Sequence, residues 1–342
     1  MSQHPAEMNA VEATGFSIEQ LKMVRRPVPS AGPGEVLVKI KAASLNYRDL
    51  AVLAGTYMPD LKLPYTPASD CAGQVVALGS GVTRFKLGDR VVPSYIQGWR
   101  DGELTQHQRS SQTLGAPLAG VLQEYIAVPA EDAVPTPDSL TDKEAATLPI
   151  AALTAWHCLQ SGGVAAGKSV LVQGTGGVAI FALQFAKALG ATVMALTSSA
   201  EKTKLLKSLG ADHVINYRDV SQWAGAIREA TGGKGVDIIV ETTGSSMPQS
   251  LAACAFGGFI GVIGFVGGYE TTLNIRQLIG PKIRMEGIVV GSRVMMEEMI
   301  TAIDKHSIRP IIAQEFPMAD SAGAFQAMKL SARPGKIVIQ IE

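Results

Sequence analysis

The sequence predicts an α/β protein in which a doubly wound, six-stranded parallel sheet is inserted into a mostly β unit, and three observations carry that reading. Six short apolar runs, at 170–173, 192–196, 213–216, 236–241, 258–264 and 285–290, alternate with helical stretches at 177–189, 199–209, 220–231 and 248–255. Strands buried on both faces read as continuous apolar runs, and such alternation marks parallel βαβ units. Before residue 139 the rhythm differs: apolar and β-branched runs at 35–43, 73–78 and 121–128 are punctuated by Gly and Pro, as in a unit of short strands and turns. Finally, 342 residues exceed the size at which one hydrophobic core stops growing, so two domains are expected.

Between the two patterns, 141–161 opens with Thr-Asp-Lys-Glu, an N-cap with acidic first-turn residues, and continues as a long apolar helix stopped by Gly162 and Gly163. After Gly291, a helix at 294–305, a short strand, a helix at 321–330 and a strand at 336–340 lack the parallel-sheet rhythm and return to the first unit. The expected domains are 1–135 with 292–342, the substrate unit, and 136–291, the dinucleotide unit, with a cleft between them.

The 30 basic residues balance 30 acidic ones without a Lys/Arg run, which argues against nucleic acid or an anionic membrane surface as partner. No stretch has the apolar length of a membrane span and residues 1–10 carry no basic segment leading into an apolar one, so a cytoplasmic location is expected. Cys71, Cys158 and Cys254 lie in apolar stretches and read as reduced core thiols. The five histidines, His4, His107, His157, His213 and His306, have no ligand spacing, so no metal is expected on them. The sixth strand would sit at a sheet edge, and an apolar edge invites pairing, so a homodimer is expected.

Two glycine motifs lie close together, and context separates them. Gly162, Gly167, Lys168 and Ser169 fit the phosphate-loop pattern literally, but Lys168 opens a strand, whereas a phosphate loop needs its Lys and Ser to open a helix. Gly174, Gly176 and Ala179 follow a strand and open a helix, so G-x-G-x-x-A stands where the dinucleotide fingerprint of a Rossmann unit belongs. Gly174 supplies the tight turn, Gly176 leaves room for a pyrophosphate, and the helix N-terminus at Gly177 and Val178 turns its positive end to the phosphates. About 20 residues on, where an NAD site carries an acid for the ribose 2′-hydroxyl, the chain has Thr197, Ser198 and Ser199, followed by Lys202. Hydroxyls and an ammonium suit a 2′-phosphate, so NADP(H) is the expected cofactor and NAD the alternative. Thr243 and Gly244 end the fourth strand, and Gly264, Phe265 and Val266 end the fifth, where a doubly wound sheet meets its ligand. Their backbone groups are expected to hold the ribose and carboxamide.

Residues 10–340 resemble the medium-chain dehydrogenase/reductase superfamily through Pro33-Gly34-Glu35-Val36-Leu37-Val38, Gly88-Asp89-Arg90-Val91 and Gly174-Thr175-Gly176-Gly177-Val178-Ala179. The similarity is greatest to its zinc-free branch of quinone oxidoreductases and enoyl or alkenal reductases: Asn46 followed by Gly55-Thr56-Tyr57 matches in motif and spacing, and Lys202 and Tyr217 match the 2′-phosphate end of the NADPH site. This resemblance implies a GroES-like catalytic unit, NADPH and a small-molecule substrate. Zinc-bearing relatives carry Cys at the position of Asn46, Gly-His-Glu at Ala68-Ser69-Asp70 and a second Cys at Ile150, while 94–120 lacks the cysteines of a structural-zinc lobe, so no zinc is expected.

Without a metal, the alkoxide formed from a simple ketone lacks its Lewis acid. A quinone or conjugated enone instead takes hydride to give a delocalised anion that hydrogen-bond donors can hold. Tyr57 is expected to donate to or protonate that anion, and Asn46 to orient substrate or the nicotinamide ribose. Tyr47, Arg48 and Asp70 read as neighbours, with Arg48 and Asp70 pairing with each other or the surface. The expected activity is NADPH-dependent, zinc-independent reduction of quinones or α,β-unsaturated carbonyls. The alternatives are a zinc-independent alcohol or aldehyde dehydrogenase and a non-catalytic NADPH-binding protein.

Overall fold

A computed structural model describes residues 4–330 and 333–342, so residues 1–3 and 331–332 of the sequence-derived substrate unit lie outside the described residues. The chain divides into two compact units, Met1–Ile150 with Ser292–Glu342, and Ala151–Gly291. The first unit opens with an antiparallel ribbon of β1 (Glu7–Ala13) and β2 (Leu21–Pro27). It continues through β3 (Glu35–Ser44), α1 (Tyr47–Leu53), β4 (Asp70–Leu78), β5 (Arg90–Pro93), α2 (Gln106–Ser111), β6 (Tyr125–Pro129), β7 (Ala133–Pro135) and α3 (Asp142–Ala145). The strand read at 121–128 begins only at Tyr125, because Val121 and Leu122 donate their N–H groups to the Pro67 carbonyl at 3.1 and 3.2 Å.

The single helix expected over 141–161 is not formed. α3 is four residues long, a π-helical turn covers Leu148–Ala152, and α4 (Leu153–Ser161) starts afresh. Pro149 is the cause: it has no N–H to give and its ring crowds the preceding turn. The break also moves the domain boundary. Residues 136–150 belong to the first unit, not the dinucleotide unit, because Thr136 N–H donates to the Arg90 carbonyl (2.9 Å) while Arg90 Nη2 donates to the Leu140 carbonyl (2.7 Å) and its Nε to Asp142 Oδ1 (2.9 Å).

The second unit holds α4, β8 (Ser169–Gln173), α5 (Gly177–Ala188), β9 (Thr192–Thr197), α6 (Ala200–Ser208), β10 (His213–Asn216), α7 (Trp223–Ala230), β11 (Val236–Glu241), α8 (Met247–Ala253), β12 (Cys254–Val262), α9 (Ile275–Ile279) and β13 (Arg284–Gly287). Its six strands are all parallel, in the order β10-β9-β8-β11-β12-β13. This is the doubly wound sheet, with the strand order reversing between β8 and β11, the switch point beside which such folds bind ligands. Val170, Leu171 and Val172 of β8 and Ile238, Ile239 and Val240 of β11 are fully buried, which is why these runs carry no polar alternation. Lys168 and Ser169 lead into β8 and bond Asp237, at 3.1 Å from Lys168 Nζ and 2.8 Å from Ser169 N, so the literal phosphate-loop pattern forms no phosphate loop.

The chain then returns to the first unit with α10 (Arg293–His306), β14 (Ile312–Pro317), α11 (Ser321–Leu330) and β15 (Lys336–Gln340). The sheet runs β14-β15-β3-β4-β5-β7, with β6 also paired to β3. Val338 lies opposite Ser44 in the antiparallel β15/β3 pair, so the end of the chain runs beside the β3–α1 junction. Among the described residues no helix is long and apolar enough to cross a membrane. Cys71, Cys158 and Cys254 are buried and unpaired, and burial pushes the Cys158 and Cys254 thiols up to about 12, as expected of inert core thiols.

Candidate active site

The residues expected to hold a dinucleotide lie at or just beyond the C-terminal ends of β8, β9, β10, β11 and β12. Gly174 turns the chain away from β8 with φ +82°, a left-handed value that favours glycine. Gly176 is different: its φ of −71° suits any residue, and a Cβ there would meet nothing within 4 Å. Neither backbone nor packing calls for glycine at 176, and the space beside it lies at the N-terminus of α5, which no side chain among the described residues caps. The first N–H groups of that helix, at Gly177 and Val178, therefore face an open cradle of the kind a pyrophosphate fills.

Glu241 ends β11 as a buried hub. It accepts hydrogen bonds from Thr243 N (3.0 Å), Thr243 Oγ1 (2.9 Å), Gly244 N (3.1 Å) and, across the switch point, Gln173 Nε2 (2.8 Å). Burial alone would raise its pKa; the bonds from Ser250, Gln173 and Thr243 outweigh burial and hold the carboxyl below its usual range. The amides of Thr243 and Gly244, expected to hold ribose and carboxamide, are thus already engaged, and the Thr243 carbonyl accepts from Gly267 N at 2.8 Å. What Thr243 offers is a fixed wall. Gly264 packs against the preceding residue, Thr242, so closely that a Cβ would lie 2.2 Å from its carbonyl oxygen, and Phe265 stacks on Tyr269 with ring centres 4.7 Å apart.

At the next strand, Ser199 N-caps α6 by accepting from Lys202 N at 3.3 Å, and Tyr217 N donates to the Thr197 carbonyl at 3.0 Å. β9 and β10 run side by side with Thr197 opposite Asn216, so Ser198, Lys202 and Tyr217 share one corner. Among the described residues no carboxylate pairs with the Lys202 ammonium. This corner has the donors that a phosphate monoester needs.

In the first unit, Asn46 is buried as the N-cap of α1, its N–H donating to Asp49 Oδ2 at 2.8 Å. Tyr57 follows α1 and is held between two guanidinium groups: Arg109 Nη2 donates to its phenol oxygen, and Arg48 stands over its ring, 5.5 Å from the centre. Arg48 also covers the ring of Tyr95 at 5.0 Å, and burial pushes the Tyr95 phenol up to about 12. The expected Arg48–Asp70 pair is not formed. Arg48 pairs with Asp49 at 3.8 Å and donates to the carbonyls of Leu114 (3.3 Å) and Ala116 (2.5 Å). Asp70 instead accepts from Ser69 Oγ (3.0 Å) and Ile150 N (3.0 Å), and Lys336 is the cation that opposes the upward push of burial on its carboxyl. Burial likewise raises Asp49, to about 6, against the pull of Arg48, and lowers Lys336 against the pull of Asp70 and Asp49.

These contacts test the fit of a catalytic metal. Asp70 accepts from the Ile150 N–H and from Ser69 Oγ, and the Asn46 side chain, whose Oδ1 accepts from Lys336 Nζ at 2.5 Å, helps to hold the Asp70 carboxyl down, so the positions at which zinc-bearing relatives carry ligands do converge. What converges is an amide, a hydroxyl, one carboxylate and an aliphatic side chain, with an ammonium already on the amide oxygen. Zinc takes thiolate, imidazole and carboxylate ligands, and a neighbouring ammonium repels a divalent ion. The donor set does not fit zinc, and among the described residues no group of three or more His, Cys, Asp or Glu converges elsewhere.

Arg109, Asp49, Glu241 and Lys336 escape sequence reading. Lys336 is 290 positions from the residue that it holds, and nothing local marks it. Glu241 had a signal: it is a buried carboxylate closing the aliphatic run Ile238, Ile239 and Val240.

Residues 32–138 match the alcohol dehydrogenase GroES-like domain family, and residues 177–305 the zinc-binding dehydrogenase family. A zinc-type alcohol dehydrogenase-like protein of Schizosaccharomyces pombe is 42% identical over 340 residues, covering 97% of each chain. A quinone oxidoreductase of Rattus norvegicus is 30% identical over 322 residues, covering 91% of each. The crystal structure of a putative alcohol dehydrogenase from Sinorhizobium meliloti 1021 matches with a TM-score of 0.93 and 40% identity, over 99% of this chain and 100% of that one.

Proposed function

The chain belongs to the medium-chain dehydrogenase/reductase superfamily, and from that premise we propose that this oxidoreductase uses NADPH, without zinc, to reduce quinones or α,β-unsaturated carbonyls. The observation that carries the proposal is the donor set at Asn46, Ser69, Asp70 and Ile150, with Lys336 Nζ 2.5 Å from Asn46 Oδ1. An acceptor that needs a Lewis acid is poorly served by it; one whose charge delocalises is not.

Gly174, Gly176, Gly177 and Val178 would cradle the pyrophosphate of the coenzyme, Ser198, Lys202 and Tyr217 its 2′-phosphate, and Thr243, Gly264 and Phe265 would border its nicotinamide end. When bound, NADPH supplies the hydride. The remaining proton for a two-electron reduction passes to the acceptor oxygen from Tyr57. Arg109, already donating to the phenol oxygen, stabilises negative charge that collects there. Asn46 orients the substrate or the nicotinamide ribose. A cytoplasmic homodimer, joined through the β13 edge, completes the proposal; sedimentation of the protein as a monomer would remove that part.

The test is oxidation of NADPH and NADH with quinones, enones, aldehydes and alcohols, on protein whose metal content is measured. Turnover of quinones or enones, faster with NADPH and indifferent to chelators, is expected. Binding of NADPH without turnover of any acceptor, or zinc in stoichiometric amount whose removal stops turnover, would sink the proposal. A second reading has support in the relatives described as alcohol dehydrogenases: turnover of simple aldehydes but of no conjugated acceptor would select it.

A further inference from the structure

Lys336 opens β15 and is only 5% exposed. A buried ammonium has to be met by acceptors and opposite charge, and both are present. Its Nζ donates to the Leu45 carbonyl at 2.6 Å and to Asn46 Oδ1 at 2.5 Å, while Asp70 and Asp49 supply the negative charge.

An amide has one end that accepts and one that donates, and rotating it by half a turn exchanges them. An ammonium has hydrogens only, so it selects the oxygen of Asn46. Asp70 acts in the same sense, because a carboxylate only accepts: the Asn46 side chain helps to hold the Asp70 carboxyl down, and only its NH2 end can do so. Nδ2 of Asn46 carries two hydrogens and is buried; it leans on Asp70, yet among the described residues it makes no hydrogen bond of good geometry. That donor therefore keeps a hydrogen that no group among the described residues takes up with good geometry.

We propose that Lys336 is a positioning residue that fixes the Asn46 amide with its NH2 group, rather than its carbonyl, as the end offered to the ligand. The inference rests on the proposed site role of Asn46 and says which atom performs it: Nδ2 donates to an oxygen of the acceptor or of the nicotinamide ribose. Lys336 touches neither and acts through Asn46 alone.

The experiment is a set of substitutions read as kcat/KM with NADPH and p-benzoquinone, alongside thermal melting. Asn46→Ala is expected to lower kcat/KM by about tenfold or more, the loss of one well-placed hydrogen bond. Asn46→Asp keeps an oxygen for Lys336 but has no NH2; it is expected to melt no lower than Asn46→Ala and to lose as much activity. Lys336→Met is paired with Asp70→Asn so that no charge is stranded in the core, and this double variant is expected to lose a similar factor. Adding Asn46→Ala to it should change kcat/KM by less than about twofold, because the two act as one unit. A further loss that multiplies the first would overturn the role of Lys336 while leaving that of Asn46. Full activity of Asn46→Asp would overturn the choice of Nδ2, and full activity of Asn46→Ala would overturn the site reading itself.

Discussion

Tyr57 shows how one side chain takes on its chemistry from neighbours distant in sequence. Its phenol oxygen accepts from Arg109 on α2, and Arg48 on α1 covers its ring. Tyr57→Phe removes the hydroxyl and leaves the packing, so kcat should fall by about 100-fold, within the range for a general acid, with the NADPH dissociation constant unchanged in a fluorescence titration. Asp49 makes a different prediction. Its folded pKa is about 6 against an ordinary 3.8, and burial is the first cause. The folded state therefore holds more protons than the unfolded one between these values, and stability falls as pH rises through that window. Asp49→Asn lacks this term. Melting from pH 4 to pH 7 should show the wild type losing on the order of 1–3 kcal/mol relative to the variant, and parallel curves would disprove it.

Among the elements, the turn from β8 into α5 was legible because its signals are local: a strand, two glycines at fixed spacing and a small residue opening a helix. α11 and β15 were legible for the same reason, and both have the limits read from periodicity, Ser321–Leu330 and Lys336–Gln340. The stretch 141–161 was not, since its apolar pattern continues through Pro149 while its hydrogen bonding does not. At the candidate site, Asn46, Tyr57 and the glycines could be found by motif, whereas Arg109, Glu241 and Lys336 owe their roles to contacts that no short window contains. The β8–α5 turn also carries a prediction. Gly176→Ala puts a methyl group into open space at an ordinary φ. Stability should drop by no more than about 1 kcal/mol, the cost of a poorer N-cap, while NADPH binding weakens by about tenfold or more. Equal affinity for the two proteins in calorimetry would show that nothing approaches this glycine.

At the scale of the molecule, the first unit is made from both ends of the chain. β15 lies between β14 and β3, and its Ile337, Val338 and Ile339 are buried. Each such side chain contributes about 1.5–3 kcal/mol, so deleting 336–342 removes an amount comparable with the whole stability of an ordinary domain. The expected result is loss of the first unit's calorimetric transition and of all turnover; a truncated protein that still turns over would contradict it.

The strand that completes the sheet also brings Lys336 to Asn46, 290 positions away along the chain. A cut that frees that strand would therefore release the Asn46 amide as well, although the two lie far apart in sequence.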